Sequence, residues 1–229
     1  MNAGMRILII EDDSAISEIV SYNLRGEGYQ VDLATDGHEG LEVARKTHPA
    51  LIVLDLMLPT MDGIEVCRQL RSDPVIRDTL VLMLTAKAEE VDQVVGFAVG
   101  ADDYVTKPFS VKVLMERIKA LLRRKETVKD VTQTTERLGI AIDRRSHVAT
   151  ADGRVMDLTP SEFSLLDALI SQPGRAFSRS DLIDAALGGD AIVLERTIDV
   201  HIRSLRKKLD VHAELIQTVR GVGYRFRDS

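Results

Sequence analysis

Five side chains far apart in the sequence, Glu11, Asp12, Asp55, Thr85 and Lys107, are of the types that could together handle a phosphoryl group. Three carboxylates brought close repel, and repulsion raises their pKa values unless a cation neutralises them. Oxygen-only ligands suit Mg²⁺, which uses few carboxylates and leaves positions open for phosphate oxygens. An ammonium such as Lys107 and a hydroxyl such as Thr85 can hold the remaining oxygens. A carboxylate can itself accept the group as an acyl phosphate. Taken singly, each signal has a plainer reading: Glu11-Asp12-Asp13 as a solvated acidic turn, Asp55 as a residue that opens a loop, Lys107 as an ordinary surface lysine.

The elements that must position these residues decide between the readings. Residues 51–63, LIVLDLMLPTMDG, begin with an apolar run of strand length, and a run apolar on both faces suggests a strand covered by helices on both sides. Asp55 interrupts it where the strand should end, and Pro59, Asp62 and Gly63 mark a turn. Around it the pattern alternates. Strands are expected at 6–10, 30–34, 80–84 and 103–106, and helices at 14–25, 36–46, 64–71, 89–99 and 110–124, with Ser14 and Ser110 as caps. Five strand–helix units argue an α/β, doubly wound parallel sheet. Such a sheet has one C-terminal edge, where open α/β folds place reactive groups. Glu11, Asp12, Asp55, Thr85 and Lys107 all fall there, on four different strands.

The 229 residues suit two domains, and 45% apolar content supplies a core for each. The net charge of −6 is unevenly spread: residues 1–122 carry 12 Lys/Arg against 20 Asp/Glu, net −8, and residues 137–229 carry 14 against 13, net +1. Cys67 is the single cysteine, so no internal disulfide can form and a reducing compartment is expected. No apolar run approaches a membrane span or a signal peptide, which favours a cytoplasmic protein without a membrane partner. The five histidines lack zinc spacing, and neither a GxxxxGK nor a HExxH pattern occurs.

Residues 123–136 are polar, lack Gly and Pro, and read as a linker, helical at most at its start. Beyond it, three short strands (138–142, 147–150, 154–158) precede three helices and a closing hairpin. Thr159, Pro160 and Glu162 form a helix start signal, and Ser178 caps the next helix. The third helix, from about 194 to 209, carries an apolar stripe of Ile198, Ile202, Leu205 and Leu209. Arg196, Val200, Arg203, Ser204 and Lys207 lie opposite. Residues 196–227 hold eight Lys/Arg against three Asp/Glu, net +5 in a half whose total is +1. That concentration is the footprint of a phosphate-backbone partner, although a solvated basic helix face would read the same way.

Residues 5–122 resemble the receiver domains of bacterial response regulators, through IIEDD, VLDLMLPTMDG, MLTA and GADDYVTKPF. The resemblance implies a flavodoxin-like fold in which Asp55 accepts a phosphoryl group from a sensor histidine kinase. It implies a Mg²⁺ site of Glu11, Asp12, Asp55 and the Met57 carbonyl, phosphoryl contacts from Thr85 and Lys107, and a switch made of Thr85 and Tyr104. A cis Lys107–Pro108 bond belongs to the same pattern.

Residues 138–226 resemble the winged helix-turn-helix effector of the OmpR/PhoB family, through LTPSEFSLL, RTIDVHIRSLRKKL and TVRGVGYRF. Carried over residue by residue, this places Arg196, Thr197, Val200, His201, Arg203, Ser204, Arg206, Lys207, Thr218, Arg220 and Tyr224 at double-stranded DNA. It also implies a homodimer on phosphorylation, bound to a direct repeat, with Asp102, Asp103, Arg117 and Arg124 as interface charges and RNA polymerase as a further partner. The sequence departs from close members at Ser204 and Leu187, which bear on base preference, and at Gln93 and Val113, where the dimer face of the family has an Arg–Glu pair.

The expected function is therefore a phosphorylation-activated transcription factor rather than an enzyme. The alternative is a constitutive DNA-binding regulator whose receiver only dimerises. A haloacid-dehalogenase-type phosphatase also phosphorylates an aspartate but needs a second acid two residues on, and position 57 is Met.

Overall fold

A continuous apolar run is stable as a strand when both its faces are covered, and β3 (Leu51–Asp55) meets that condition, for every one of its residues is buried. The structure is a computed structural model that describes residues 4–86, 99–126, 134–187 and 195–228, without the side chains of 86, 124–126, 186–187 and 195–196. The chain forms two compact units, Met1–Leu122 and Arg123–Ser229.

In the first unit β1 (Arg6–Ile10), β2 (Gln30–Ala34), β3, β4 (Leu80–Ala86) and β5 (Asp103–Lys107) make one parallel sheet in the order β2-β1-β3-β4-β5. The chain leaves β1 to pair β2 on one side and returns to pair β3 on the other. The order therefore reverses at the β1/β3 boundary, which is where such sheets bind ligands.

The helices α1 (Ser14–Gly26), α2 (Gly37–Thr47), α3 (Gly63–Ser72) and α4 (Val111–Glu126) accompany the sheet. Three of them start on an aspartate cap: Asp13, Asp36 and Asp62 each accept a backbone N–H from the first turn. The cap of α1 is thus Asp13, not Ser14, because the Asp13 carboxylate reaches the Ala15 and Ile16 amides at 2.8 and 3.3 Å. Ile7, Ile9, Val20, Leu24, Val53, Leu82, Leu114 and Ile118 lie in one continuous core.

In the second unit β6 (Thr134–Arg137), β7 (Ile140–Asp143), β8 (Val148–Ala151) and β9 (Arg154–Met156) form an antiparallel sheet in sequential order. The β8–β9 hairpin turns through Asp152 and Gly153, both at positive φ, which matches the twist of the strands it joins. Then come β10 (Phe177–Ser178), helices α5 (Pro160–Ser171), α6 (Arg179–Leu187) and α7 (Glu195–Leu209), a 3-10 turn (Asp210–Leu215), and the hairpin β11 (Ile216–Val219) and β12 (Gly223–Phe226). The strands β10-β12-β11 pair as a small antiparallel wing. Gly223 lets β12 approach β10, since a Cβ there would stand 2.3 Å from the Phe177 carbonyl oxygen. The apolar stripe of α7 is buried as its spacing predicts: Ile198, Ile202, Leu205 and Leu209 join Phe163, Leu166, Phe177 and Phe226 in a separate core.

Several boundaries differ from expectation: the strands expected at 138–142 and 154–158 are Ile140–Asp143 and Arg154–Met156, and the one expected at 80–84 runs to Ala86. The helix expected to end at 124 continues through Glu126. Residues 134–136, taken with the linker, belong to β6, which pairs residue for residue with β7. Its residues are mostly exposed, so the strand is held by backbone pairing and carries no apolar alternation to announce it. The helix expected over 89–99 lies almost wholly outside the described residues, as do Gln93 and residues 127–133 of the linker.

Candidate functional site

The rim of the first sheet gathers its chemistry from strand ends. Glu11 follows β1, Asp55 closes β3, Thr85 is the penultimate residue of β4 and Lys107 closes β5. Because β1, β3, β4 and β5 are neighbours in the sheet, these ends are adjacent. Carboxylate oxygens of Glu11, Asp12 and Asp55 lie within 4.8 Å of one another. Lys107 Nζ reaches both buried acids, at 2.8 Å from the Glu11 carboxylate and 2.9 Å from Asp55 Oδ2. Asp55 Oδ1 accepts the Met57 amide at 3.3 Å. Glu11, Asp55 and Thr85 are buried, while Asp12 and Met57 are exposed, so the corner meets solvent on their side.

Charge balance in this corner is incomplete. Burial pushes the Glu11 carboxyl up to about 7, and the Asp55 charge adds to that rise although Lys107 opposes it. At Lys107 burial works against the charge, but the Glu11 and Asp55 carboxylates outweigh it and hold its pKa above the usual value. Among the described residues, one ammonium against three carboxylates leaves a deficit of positive charge. The donor set is all oxygen, partly open to water, and so fits a hard divalent cation with free positions.

The corner owes its shape to α3. Gly63 opens that helix, donates its amide to the Leu56 carbonyl at 3.0 Å, and sits so close to β3 that an added Cβ would lie 2.2 Å from the Asp55 carbonyl oxygen. Only glycine leaves room for the helix at that distance from the strand that carries Asp55.

In the second unit α7 presents Arg203 and Lys207 to solvent, and the hairpin that follows presents Thr218 and Arg220. Behind them runs a polar lattice. Asp199 accepts from Arg179 Nε and from the Tyr224 hydroxyl, both at 2.8 Å. Arg206 donates through Nε and Nη2 to the Ile216 carbonyl at 3.1 and 2.7 Å, and through Nη2 to Thr218 Oγ1 at 2.9 Å. Glu162 closes the α5 capping box on the Thr159 amide and also accepts from Ser204 Oγ at 2.5 Å and Lys208 Nζ at 2.6 Å.

Two family descriptions match the chain: "Response regulator receiver domain" over residues 7–119 and "Transcriptional regulatory protein, C terminal" over residues 153–226. The phosphate regulon transcriptional regulatory protein PhoB of Rhizobium meliloti is 46% identical over 222 residues, covering 96% of this chain and 97% of that protein. The chain is an OmpR/PhoB-type response regulator. BaeR of Escherichia coli O6:H1 is similar at 40% identity, covering 96% and 92%. Among solved structures, a mutant of RitR is similar with a TM-score of 0.80 and 28% identity, covering 99% of this chain and all of that one. As a member of this family the response regulator is a transcriptional regulator controlled by phosphorylation in a two-component system, not an enzyme, and has a sensor kinase and DNA as partners. Among the described residues no helix is long and apolar enough to cross a membrane.

Several site expectations need correction in this regulator. Thr197, His201 and Tyr224 are buried, His201 to 1% exposure, so their side chains do not face solvent. Ser204 turns to Glu162 and not outward, and Val200 is half-buried. Asp102 is wholly buried: it accepts the Val81 amide at 2.8 Å and pairs with Arg71 at 2.9 Å, so it is internal and not an interface charge. Asp103 and Arg117 pair with each other within the chain at 2.7 Å, both largely buried. Tyr104 is buried. The side chains of Arg124, Leu187 and Arg196 lie outside those described. Gly63 and Glu162 escaped notice as site residues. Gly63 was visible only as a turn glycine, and Glu162 only as half of a capping box.

Proposed function

We propose that Asp55 is the phosphoacceptor and that the acid corner holds Mg²⁺ through Glu11, Asp12, Asp55 and the Met57 carbonyl. The observation that carries this reading is the bridge from Lys107 Nζ to both Glu11 and Asp55 beside a third carboxylate. In transfer from a kinase phosphohistidine, an Asp55 carboxylate oxygen attacks phosphorus, the P–N bond breaks, and its electrons return to the imidazole. Lys107 is positioned to follow the phosphoryl oxygens as charge shifts onto them, and the Thr85 hydroxyl accompanies it from the adjacent strand. A divalent cation held by these residues would supply charge neutralisation for the phosphoryl oxygens.

On this reading phosphorylation shifts Thr85 and Tyr104 and favours a dimer of receivers. Because Asp103 and Arg117 already satisfy each other within one chain, their use across a dimer needs that pair to open. DNA is met by the exposed Arg203, Lys207, Thr218 and Arg220, with Arg196 at the start of the same helix, on a direct repeat. The regulator acts in the cytoplasm, where the kinase presents its phosphohistidine and where RNA polymerase is the final partner.

The test is phosphorylation by acetyl phosphate with Mg²⁺, read on a phosphate-affinity gel. The native chain should gain one acid-labile phosphate, and Asp55→Asn should gain none. If Asp55→Asn still dimerises and gains DNA affinity with the donor, the scheme is wrong. A receiver that serves only for dimerisation would show no phosphate on either protein.

A further inference from the structure

Arg206 lies on the basic helix, and its charge suggests a phosphate contact. Its bonds suggest otherwise. The guanidinium spends Nε and Nη2 on the wing, gripping the Ile216 carbonyl twice and the Thr218 hydroxyl once. It also lies 5.5 Å from the centre of the Tyr224 ring, which Arg179 meets at the same distance. Thr218 and Tyr224 are paired across β11 and β12. Seven residues before Arg206, two turns back on the same helix face, Asp199 accepts the Tyr224 hydroxyl. The wing is therefore bolted to α7 at two points two turns apart on the helix. Arg203 and Lys207 are exposed, whereas Arg206 is half-buried.

The hydroxyl chemistry adds a direction. Thr218 Oγ1 accepts from Arg206, and a threonine hydroxyl still has one proton to give. Thr218 is exposed, so that proton is available to an outside acceptor. We propose that Arg206 is a positioning residue that fixes the wing on the recognition helix and aims the Thr218 hydroxyl at a DNA phosphate, without itself neutralising one. The proposal rests on the reading that this face meets the DNA backbone, and the experiment separates the two.

Binding of the full chain to a mixed-sequence duplex is followed across a salt series, because each phosphate neutralised contributes about 0.9 to the slope of log K against log salt. Arg203→Gln and Lys207→Gln should each flatten the slope by about that amount. Arg206→Gln should weaken binding by about tenfold, as loss of a charged hydrogen-bond cluster does, with the slope unchanged. Arg206→Lys should lose nearly as much, since an ammonium keeps the charge but cannot span a carbonyl and a hydroxyl together. In DNA-free protein, amide hydrogen exchange across β11 and β12 should quicken in Arg206→Lys and Thr218→Val but not in Lys207→Gln. A flatter slope in Arg206→Gln, native affinity in Arg206→Lys, or unchanged wing exchange would each overturn the proposal. If instead Arg203→Gln and Lys207→Gln leave the slope as it was, the DNA-facing reading fails, and the exchange data alone judge the clamp.

Discussion

Lys107 joins two acids that would otherwise face each other across the sheet edge. It is partly exposed, so its removal should be costly without being ruinous. Lys107→Ala should destabilise the receiver in EDTA by about 2 kcal/mol, the discounted cost of leaving buried carboxylates without their partner, and Mg²⁺ should restore part of the loss by occupying the same deficit. Thermal melts with and without the ion check this. Cys67 is the opposite kind of residue, wholly buried, and burial pushes its thiol up to about 11. An unfolded thiol ionises near its ordinary value of 9.0, so the unfolded state sheds its proton first as pH rises. The stability advantage of the native chain over Cys67→Ala should therefore shrink by about 1.4 kcal/mol per unit between pH 9 and 11. At neutral pH the native thiol should not react with a disulfide reagent until urea is added.

At the scale of elements, α3 and β3 fit closely in the receiver. Gly63→Ala forces a methyl group to within 2.2 Å of the Asp55 carbonyl unless helix or strand moves. Overpacking of this kind costs about 1–3 kcal/mol. Here the displaced strand carries Asp55, the proposed acceptor, so phosphorylation should slow more than stability falls, as a comparison of acetyl phosphate kinetics with urea midpoints would show. In the second unit, Glu162 joins the start of α5 to α7 through Ser204 and Lys208. Thr159→Ala removes a helix cap and should cost about 1 kcal/mol. Glu162→Ala should cost about 2–3 kcal/mol, since it also leaves Lys208 and Ser204 unanswered beside a buried site. Urea titration of both variants tests the ranking. A reversal would mean that Glu162 acts only as a cap.

Each of the two units holds an apolar cluster of its own. Every residue of one cluster lies between 5 and 122, and every residue of the other between 140 and 226. Each unit thus buries its own apolar surface. Fragments 1–126 and 134–229 should each unfold cooperatively when made separately. The second fragment should bind duplex DNA without a phosphoryl donor, as it keeps the net +5 of residues 196–227 without the −8 carried by residues 1–122. Failure of either fragment to melt cooperatively would show that the cores depend on each other.

The sequence by itself determined the two units, the parallel sheet, the strand ends that meet at the acid corner and the buried stripe of α7, because apolar periodicity and cap residues act over a few neighbouring positions. Its motifs also singled out Asp55, the proposed acceptor, and the acids Glu11 and Asp12 that stand beside it. Tertiary structure decided the partners of the charges. Asp102 turns inward to Arg71, Asp103 and Arg117 satisfy each other, Ser204 and Lys208 go to Glu162, and Arg206 holds the wing. A polar side chain on a helix face has the same local pattern whether it meets water, a nucleic acid or a neighbouring carboxylate. Which of these it meets depends on residues brought near from elsewhere in the chain, and for these pairs the separation is 10 to 46 positions.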